Sequence, residues 1–198
     1  MPNTEIDEIL LIDRAKNGDA EAFRALVERS KMVVYRLAFS LTGDRHDAED
    51  LSQDVFVKAY KSLSKFRGDS KWSTWLYRIT VNTCMDHGRT KAAKGTEVEY
   101  EEHTVQGTAH AGAGGILPDR HADAGVLQGH IERALNTLSQ QERAVFVLRH
   151  YHDLPLKQIA STLELAEGTV KSYLFRAIQQ LQKELAFYRT DLGIGQSV

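Results

Sequence analysis

One cysteine, Cys84, stands alone in 198 residues. It excludes an internal disulfide and any zinc site built on several thiolates, and it fits a reduced, cytoplasmic setting. Long apolar runs are absent too. None approaches the roughly 18 residues that a membrane-spanning helix needs, and an acidic start with Glu5, Asp7 and Glu8 does not have the form of a signal peptide. No membrane insertion is expected. Strand signals are nearly missing, and no glycine-rich phosphate cradle or nucleophile motif appears. No catalytic residue, cofactor or small-molecule substrate is therefore expected. The histidines do not alter this. His103, His110, His121 and His130 lack fixed spacing, and His150 and His152 flank a tyrosine. Residues i and i+2 of a helix do not face each other, so that pair makes a poor ligand set and no metal site is expected.

Charge of one sign is also scarce overall, at a net of −2, but the sum hides an asymmetry. Residues 1–57 carry 7 basic and 12 acidic side chains, whereas residues 58–94 carry 9 basic and 2 acidic. A block of net −5 thus precedes one of net +7. Such a split points to separate partners for separate surfaces.

What the chain does have is helical periodicity, and an all-α fold is expected. Helices are expected over about 5–16, 19–40, 46–64 and 71–88, then over about 127–137, 140–151, 155–163 and 167–187. Between the two sets the composition turns to Gly, Ala, His and Glu, as in Gly107-Thr-Ala-His-Ala-Gly-Ala-Gly-Gly115. That stretch cannot supply a core and reads as a flexible linker. Two small helical domains are expected, 1–94 and 127–198, with 95–126 as the tether.

The second domain opens on Ser139-Gln-Gln-Glu142, a capping box. Pro155 suits a first-turn position, where its missing N–H costs nothing. Leu156, Ile159, Ala160 and Leu163 then share a face, and a three-residue turn, Glu164-Leu-Ala166, leads to the last helix. There Val170, Leu174, Ala177, Ile178, Leu181 and Leu185 form a core stripe. Lys171, Ser172, Phe175, Arg176, Gln179 and Lys183 take the opposite side. Two helices on a tight turn, the second showing cations, a hydroxyl and an out-of-place aromatic, suit the major groove of DNA.

In the first domain Ala48, Leu51, Val55, Ala59 and Leu63 make a core stripe, while Asp47, Asp50 and Asp54 share another face. Asp54 lies two turns into its helix, beyond the reach of the helix dipole, so an acidic stripe for a basic partner helix is the better account. Downstream, Trp72, Leu76, Ile79 and Thr83 point inward. Lys71, Thr74, Arg78 and Asn82 line another face with Trp75 at its margin, and Phe66 is expected to be exposed on the preceding loop. Aromatics beside cations and an amide form a stacking platform with a phosphate track, as single-stranded nucleic acid requires.

These residues together resemble a bacterial sigma factor of the extracytoplasmic-function (ECF) group in the sigma-70 family. Asp47-Ala-Glu-Asp-Leu-Ser-Gln-Asp-Val-Phe56 is similar to the helix that binds core polymerase. The segment from Phe66 to Asn82 is similar to the part that opens and reads the minus-ten element, and Leu138 to Leu185 is similar to region 4, which reads the minus-thirty-five element. The resemblance implies that the chain binds core RNA polymerase through its clamp helices and flap, with Asp47, Asp50 and Asp54 facing basic residues of the clamp. Phe66 and Asn82 would shape the pocket for a flipped minus-ten base, with Arg67, Lys71, Trp75 and Arg78 on or near the strand path. Arg149, Thr169, Lys171, Ser172, Phe175 and Arg176 would meet minus-thirty-five DNA. An anti-sigma factor and a stress or envelope-response regulon are further implications.

The chain departs from the family at Lys171 and Tyr173, where many relatives carry arginines, and at Pro155, where a Ser or Thr cap is common. An acidic tract, Glu97, Glu99, Glu101 and Glu102, is expected to lie in the polymerase's RNA channel. A two-domain helix-turn-helix regulator would share the C-terminal architecture, but it would have no use for the acidic stripe or for the segment from Phe66 to Asn82.

Overall fold

The computed structural model describes the backbone over residues 4–97 and 121–186, and side chains over 7–93 and 129–186. Every regular element among these residues is helical. Four helices build the first half: α1 (Thr4–Lys16), α2 (Ala20–Thr42), α3 (Arg45–Ser62) and α4 (Trp72–Glu97), with one 3-10 turn at Leu63–Lys65. Four build the second: α5 (His121–Asn136), α6 (Gln140–His150), α7 (Leu156–Leu163) and α8 (Glu167–Glu184).

Local chemistry sets most of the ends. Asp19 caps α2 by accepting from the backbone N–H of Glu21 and Ala22, and it is clamped at 2.7 Å by Arg14. Gly43 ends that helix at φ +72°, a left-handed position, and its N–H reaches the Phe39 carbonyl. Asp44 then accepts from the Asp47 amide at 2.9 Å to start α3. The capping box at Ser139 and Glu142 is complete. Pro155 takes the N-cap of α7 rather than its first turn, with no side-chain cap bond.

Two boundaries differ from expectation by more than three residues. Helix α4 runs through Gly88 to Glu97. One glycine costs about 1 kcal/mol in a helix, and the run Arg89 to Lys94 carries the helix past it. Helix α5 begins at His121, inside the stretch expected to be linker. Residues 98–120, with Glu99, Glu101 and Glu102, lie outside the described residues.

Each half has a core of its own. In the first, Leu26, Val34, Val55 and Leu76 are fully buried, and the Trp72 indole donates to the Ser30 hydroxyl at 3.0 Å. The whole expected stripe Ala48, Leu51, Val55, Ala59 and Leu63 is buried. In the second, Ala134, Leu135 and Leu138 pack on Ala177 and Leu181.

The halves also meet. Leu37 and Val81 of the first half join Val145, Leu148, Ile159 and Val170 of the second in one apolar cluster. Across this seam the buried Arg143 donates to the Ser40 carbonyl at 2.6 Å, and within its own half it donates to Asn136 at 2.6 Å. Ser40 lies in the last turn of α2, where carbonyls lack helical donors and a cation is favoured. One half therefore finishes a helix of the other.

Candidate nucleic-acid interface

The loop after the 3-10 turn carries Phe66 back into the first half instead of leaving it exposed. Phe66 is 5% exposed, its ring centroid lying 5.7 Å from that of Trp72 and 5.1 Å from that of Trp75. Lys16 of α1 sits over the ring at 5.7 Å, a cation–π contact no local pattern announces. Trp75, expected at a margin, is 7% exposed for the same reason. Three aromatic rings thus form one block, and a cavity of about 280 Å³ opens beside it. Phe66, Arg67, Thr74, Trp75 and Arg78 line it from the first half, and Ser161 and Thr162 of α7 close it from the second. Arg67 is exposed and 3.3 Å from Asp69; Arg78 pairs loosely with Glu164 at 3.9 Å. Lys71 and Asn82 are exposed and do not line the cavity.

On α3 the three acids have different surroundings. Asp47 faces α4, 21% exposed, with Lys91 at 2.9 Å and His87 at 3.3 Å. The His87 contact is off line for a hydrogen bond. The Lys91 hydrogen bond, outweighing burial, holds the Asp47 carboxyl below the usual carboxylate range and raises Lys91 in turn. Asp50 is exposed with only His46 at 3.7 Å, and Asp54 is exposed with no ion pair among the described residues. Val57 and Tyr60 are exposed on the same helix. Asp50, Asp54 and Val57 follow i, i+4, i+7 spacing and share a face, so continuing the acid stripe by one turn would have found the apolar end.

The outer side of α8 carries Lys171, Ser172, Phe175 and Arg176, all exposed, with Thr169 half-buried at the first turn. Phe175 is 62% exposed. Lys171 pairs with Glu167 at 3.0 Å, and Ser172 donates to the Gly168 carbonyl at 3.0 Å. Arg176 lies over the Tyr173 ring at 4.9 Å with its Nε 3.2 Å from Glu142. Arg149 is exposed, but one of its terminal nitrogens donates to the Leu154 carbonyl at 3.1 Å and braces the turn between α6 and α7. Glu164 closes α7 in a left-handed conformation at φ +54°, which sets the tight turn into α8.

Among the described residues no cluster of His, Cys, Asp or Glu could hold a metal ion, and no helix is long and apolar enough to cross a membrane.

The family model for sigma-70 region 2 matches residues 26–94, and that for sigma-70 region 4 matches residues 129–181. The ECF RNA polymerase sigma factor SigW of Bacillus subtilis is 33% identical over 180 residues, covering 88% of this chain and 94% of that protein. The ECF RNA polymerase sigma-E factor of Escherichia coli K12 is 30% identical over 186 residues, covering 91% and 95%. The fold is similar to that of RpoE in complex with the anti-sigma factor NepR from Bartonella quintana. That match has a TM-score of 0.66, 24% identity, and coverage of 84% of this chain and 98% of that one. CnrH in complex with the cytosolic domain of CnrY gives a TM-score of 0.65 at 23% identity, covering 91% and 97%. At these identities the two structures speak to fold alone.

Proposed function

Since this chain belongs to the ECF group of RNA polymerase sigma factors in the sigma-70 family, we propose that it docks on core polymerase through α3, reads a minus-thirty-five element with α8 and holds an opened minus-ten strand on α4. The observation that carries this reading is the cavity beside Phe66 and Trp75, with Arg67 and Arg78 on its walls. An aromatic surface stacks an unpaired base and flanking cations track its phosphates. Capturing a flipped base offsets a melting cost of a few kcal/mol, so opening and reading the duplex are one event that consumes no nucleotide. Asn82 and Lys71 extend the same helix face beyond the cavity. The chain acts by binding and carries out no catalysis.

Asp50 and Asp54 face basic side chains of the polymerase clamp helices, with Val57 and Tyr60 as the apolar end of that contact. Asp47 joins them when Lys91 releases it. Lys171, Ser172, Phe175 and Arg176, with Thr169 and Arg149, meet the upstream element. An anti-sigma partner belongs to the same reading, as an implication of the family.

Run-off transcription with purified core polymerase on a promoter library tests the reading. A promoter-dependent product that core alone does not make is expected. Its absence across the library would overturn the assignment.

A further inference from the structure

We propose that the cleft where α4 faces the start of α6 is a binding site for a small organic acid, a single carboxylate on a short apolar body. The cleft encloses about 240 Å³ and shares no lining residue with the cavity beside Phe66. It owes nothing to the function proposed above.

Arg143 sets the chemistry of the cleft. Its side chain lines the wall, yet the residue is only 7% exposed. Its guanidinium donates to two neutral acceptors, the Ser40 carbonyl and the Asn136 side chain. The pull of Glu132 does not make up for burial, which holds Arg143 below the ordinary guanidinium range. A buried cation hydrogen-bonded to neutral groups alone is costly, and an anion beside it relieves that cost.

Further donors stand on the same wall. His87 lines the cleft with a buried Nε2 that has no hydrogen-bond partner among the described residues. Gln140 brings its amide in over Gly88, where a Cβ would collide with it. Lys91 lines the cleft too, and its ammonium lies 2.9 Å from Asp47, the one carboxylate of the lining. Asp47 is thus already neutralised and does not bar an anion at Arg143. Two cations against one carboxylate leave the lining at a net of +1 with His87 neutral. One carboxylate balances that charge, a dianion overshoots it, and a metal cation is disfavoured.

The rest of the wall is apolar, with Leu41, Cys84, Met85 and Leu138. This makes the site more than an ion trap, because a bare anion would leave that surface wet. Space limits the body. A water takes about 30 Å³ in the liquid, so the cleft has room for an acid of about six carbons and not for the drug-sized ligands of pockets above ~300 Å³.

Calorimetric titration of the full chain with butanoate and hexanoate tests the site, with hexylamine and inorganic phosphate as controls. Hexanoate is expected to bind one to one and more tightly than butanoate, to raise the melting temperature by linkage, and to shift the His87 ring-nitrogen resonances as it saturates. Hexylamine and phosphate are expected to do none of this. Met85→Phe, which fills the apolar wall, and Arg143→Met, which removes the buried cation, are each expected to weaken hexanoate by about tenfold or more. Absence of saturable hexanoate binding overturns the proposal, as does phosphate or hexylamine binding equally well, or hexanoate binding no tighter than butanoate. Binding that leaves the His87 resonances unmoved overturns it too, because the acid then sits elsewhere, and so does undiminished binding in a folded variant. Should Arg143→Met not fold, Met85→Phe and the His87 resonances of the unaltered chain decide.

Discussion

The carboxylate of Glu142 serves two helices at once. One oxygen accepts from the Ser139 backbone N–H at 3.1 Å and from its hydroxyl at 2.7 Å, closing the N-terminus of α6, while the other lies 3.2 Å from Nε of Arg176 on α8. Holding Arg176 by its Nε, over the Tyr173 ring, leaves the two terminal nitrogens without an ion pair among the described residues. That is the fork that pairs with guanine O6 and N7.

The two roles of Glu142 are separable by substitution. Glutamine serves a capping box as well as glutamate does, so Glu142→Gln keeps the cap and loses the charge on Arg176. Stability is expected to change by less than about 1 kcal/mol, while discrimination between upstream-element variants drops. Arg176→Ala is expected to lose about 1–3 kcal/mol of that discrimination. Transcription from a panel of promoters with single-base upstream changes, beside thermal melts, checks both.

The acids of α3 divide by orientation. Reversing Asp50 or Asp54 to Lys places like charges against the basic polymerase face and is expected to weaken core binding about tenfold, with the melting temperature nearly unmoved. Asp47→Asn instead breaks the tie to Lys91 and is expected to cost under about 1 kcal/mol of stability. Surface-plasmon titration of core polymerase and urea melts of the three variants separate the two behaviours.

His152 gives the seam a pH dependence. Burial lowers its pKa from the ordinary 6.5, with Asp153 pulling the other way; Tyr77, Tyr151 and Arg36 line the same cleft. Because the folded chain resists the proton that the unfolded chain accepts, the unfolded state binds more protons as pH falls below 6.5. The contribution is complete above that pH and is lost as pH falls through the lowered value. His152→Phe is expected to flatten the part of the decline in the urea midpoint between neutral and mildly acid pH that is due to this residue. An unchanged slope would show that the ring is hydrated.

Cys84 is packed against Ala38, Ala48 and Leu51, and burial pushes its thiol up to about 12. A thiol so placed has almost no thiolate at neutral pH. A disulfide reagent at pH 8 is expected to label it only at the rate at which the first half unfolds, and at once in denaturant. Fast labelling of the native chain would mean that α2, α3 and α4 part locally.

Much of this was legible in the residues, and what was not has a common cause. The stripes Ala48 to Leu63 on α3 and Val170 to Leu185 on α8 follow from helical spacing, because local period alone decides which face is apolar. The capping box at Ser139 is equally local. Phe66 sits on a loop, and no periodicity spans a loop to show that Trp72, Trp75 and Lys16 bury it. The tie from Asp47 to Lys91 joins residues 44 apart in sequence, so spacing on α3 could not place that acid inward. Gly88 reads locally as a stop. In the fold a Cβ there would lie 1.9 Å from the Gln140 amide nitrogen, so a larger residue would force Gln140 aside, and that requirement comes from the other half.

The bond from Gln158 to Thr74 spans 84 residues, and that separation has a consequence in time. A chain made from its N-terminus completes α1 to α4, with their own core, before α7 exists. At ordinary rates of synthesis the lag is on the order of ten seconds. For that interval the cavity beside the aromatic block of a newborn first half lacks the wall that Ser161 and Thr162 give it. The molecule is born open, and closes only when its last helices arrive.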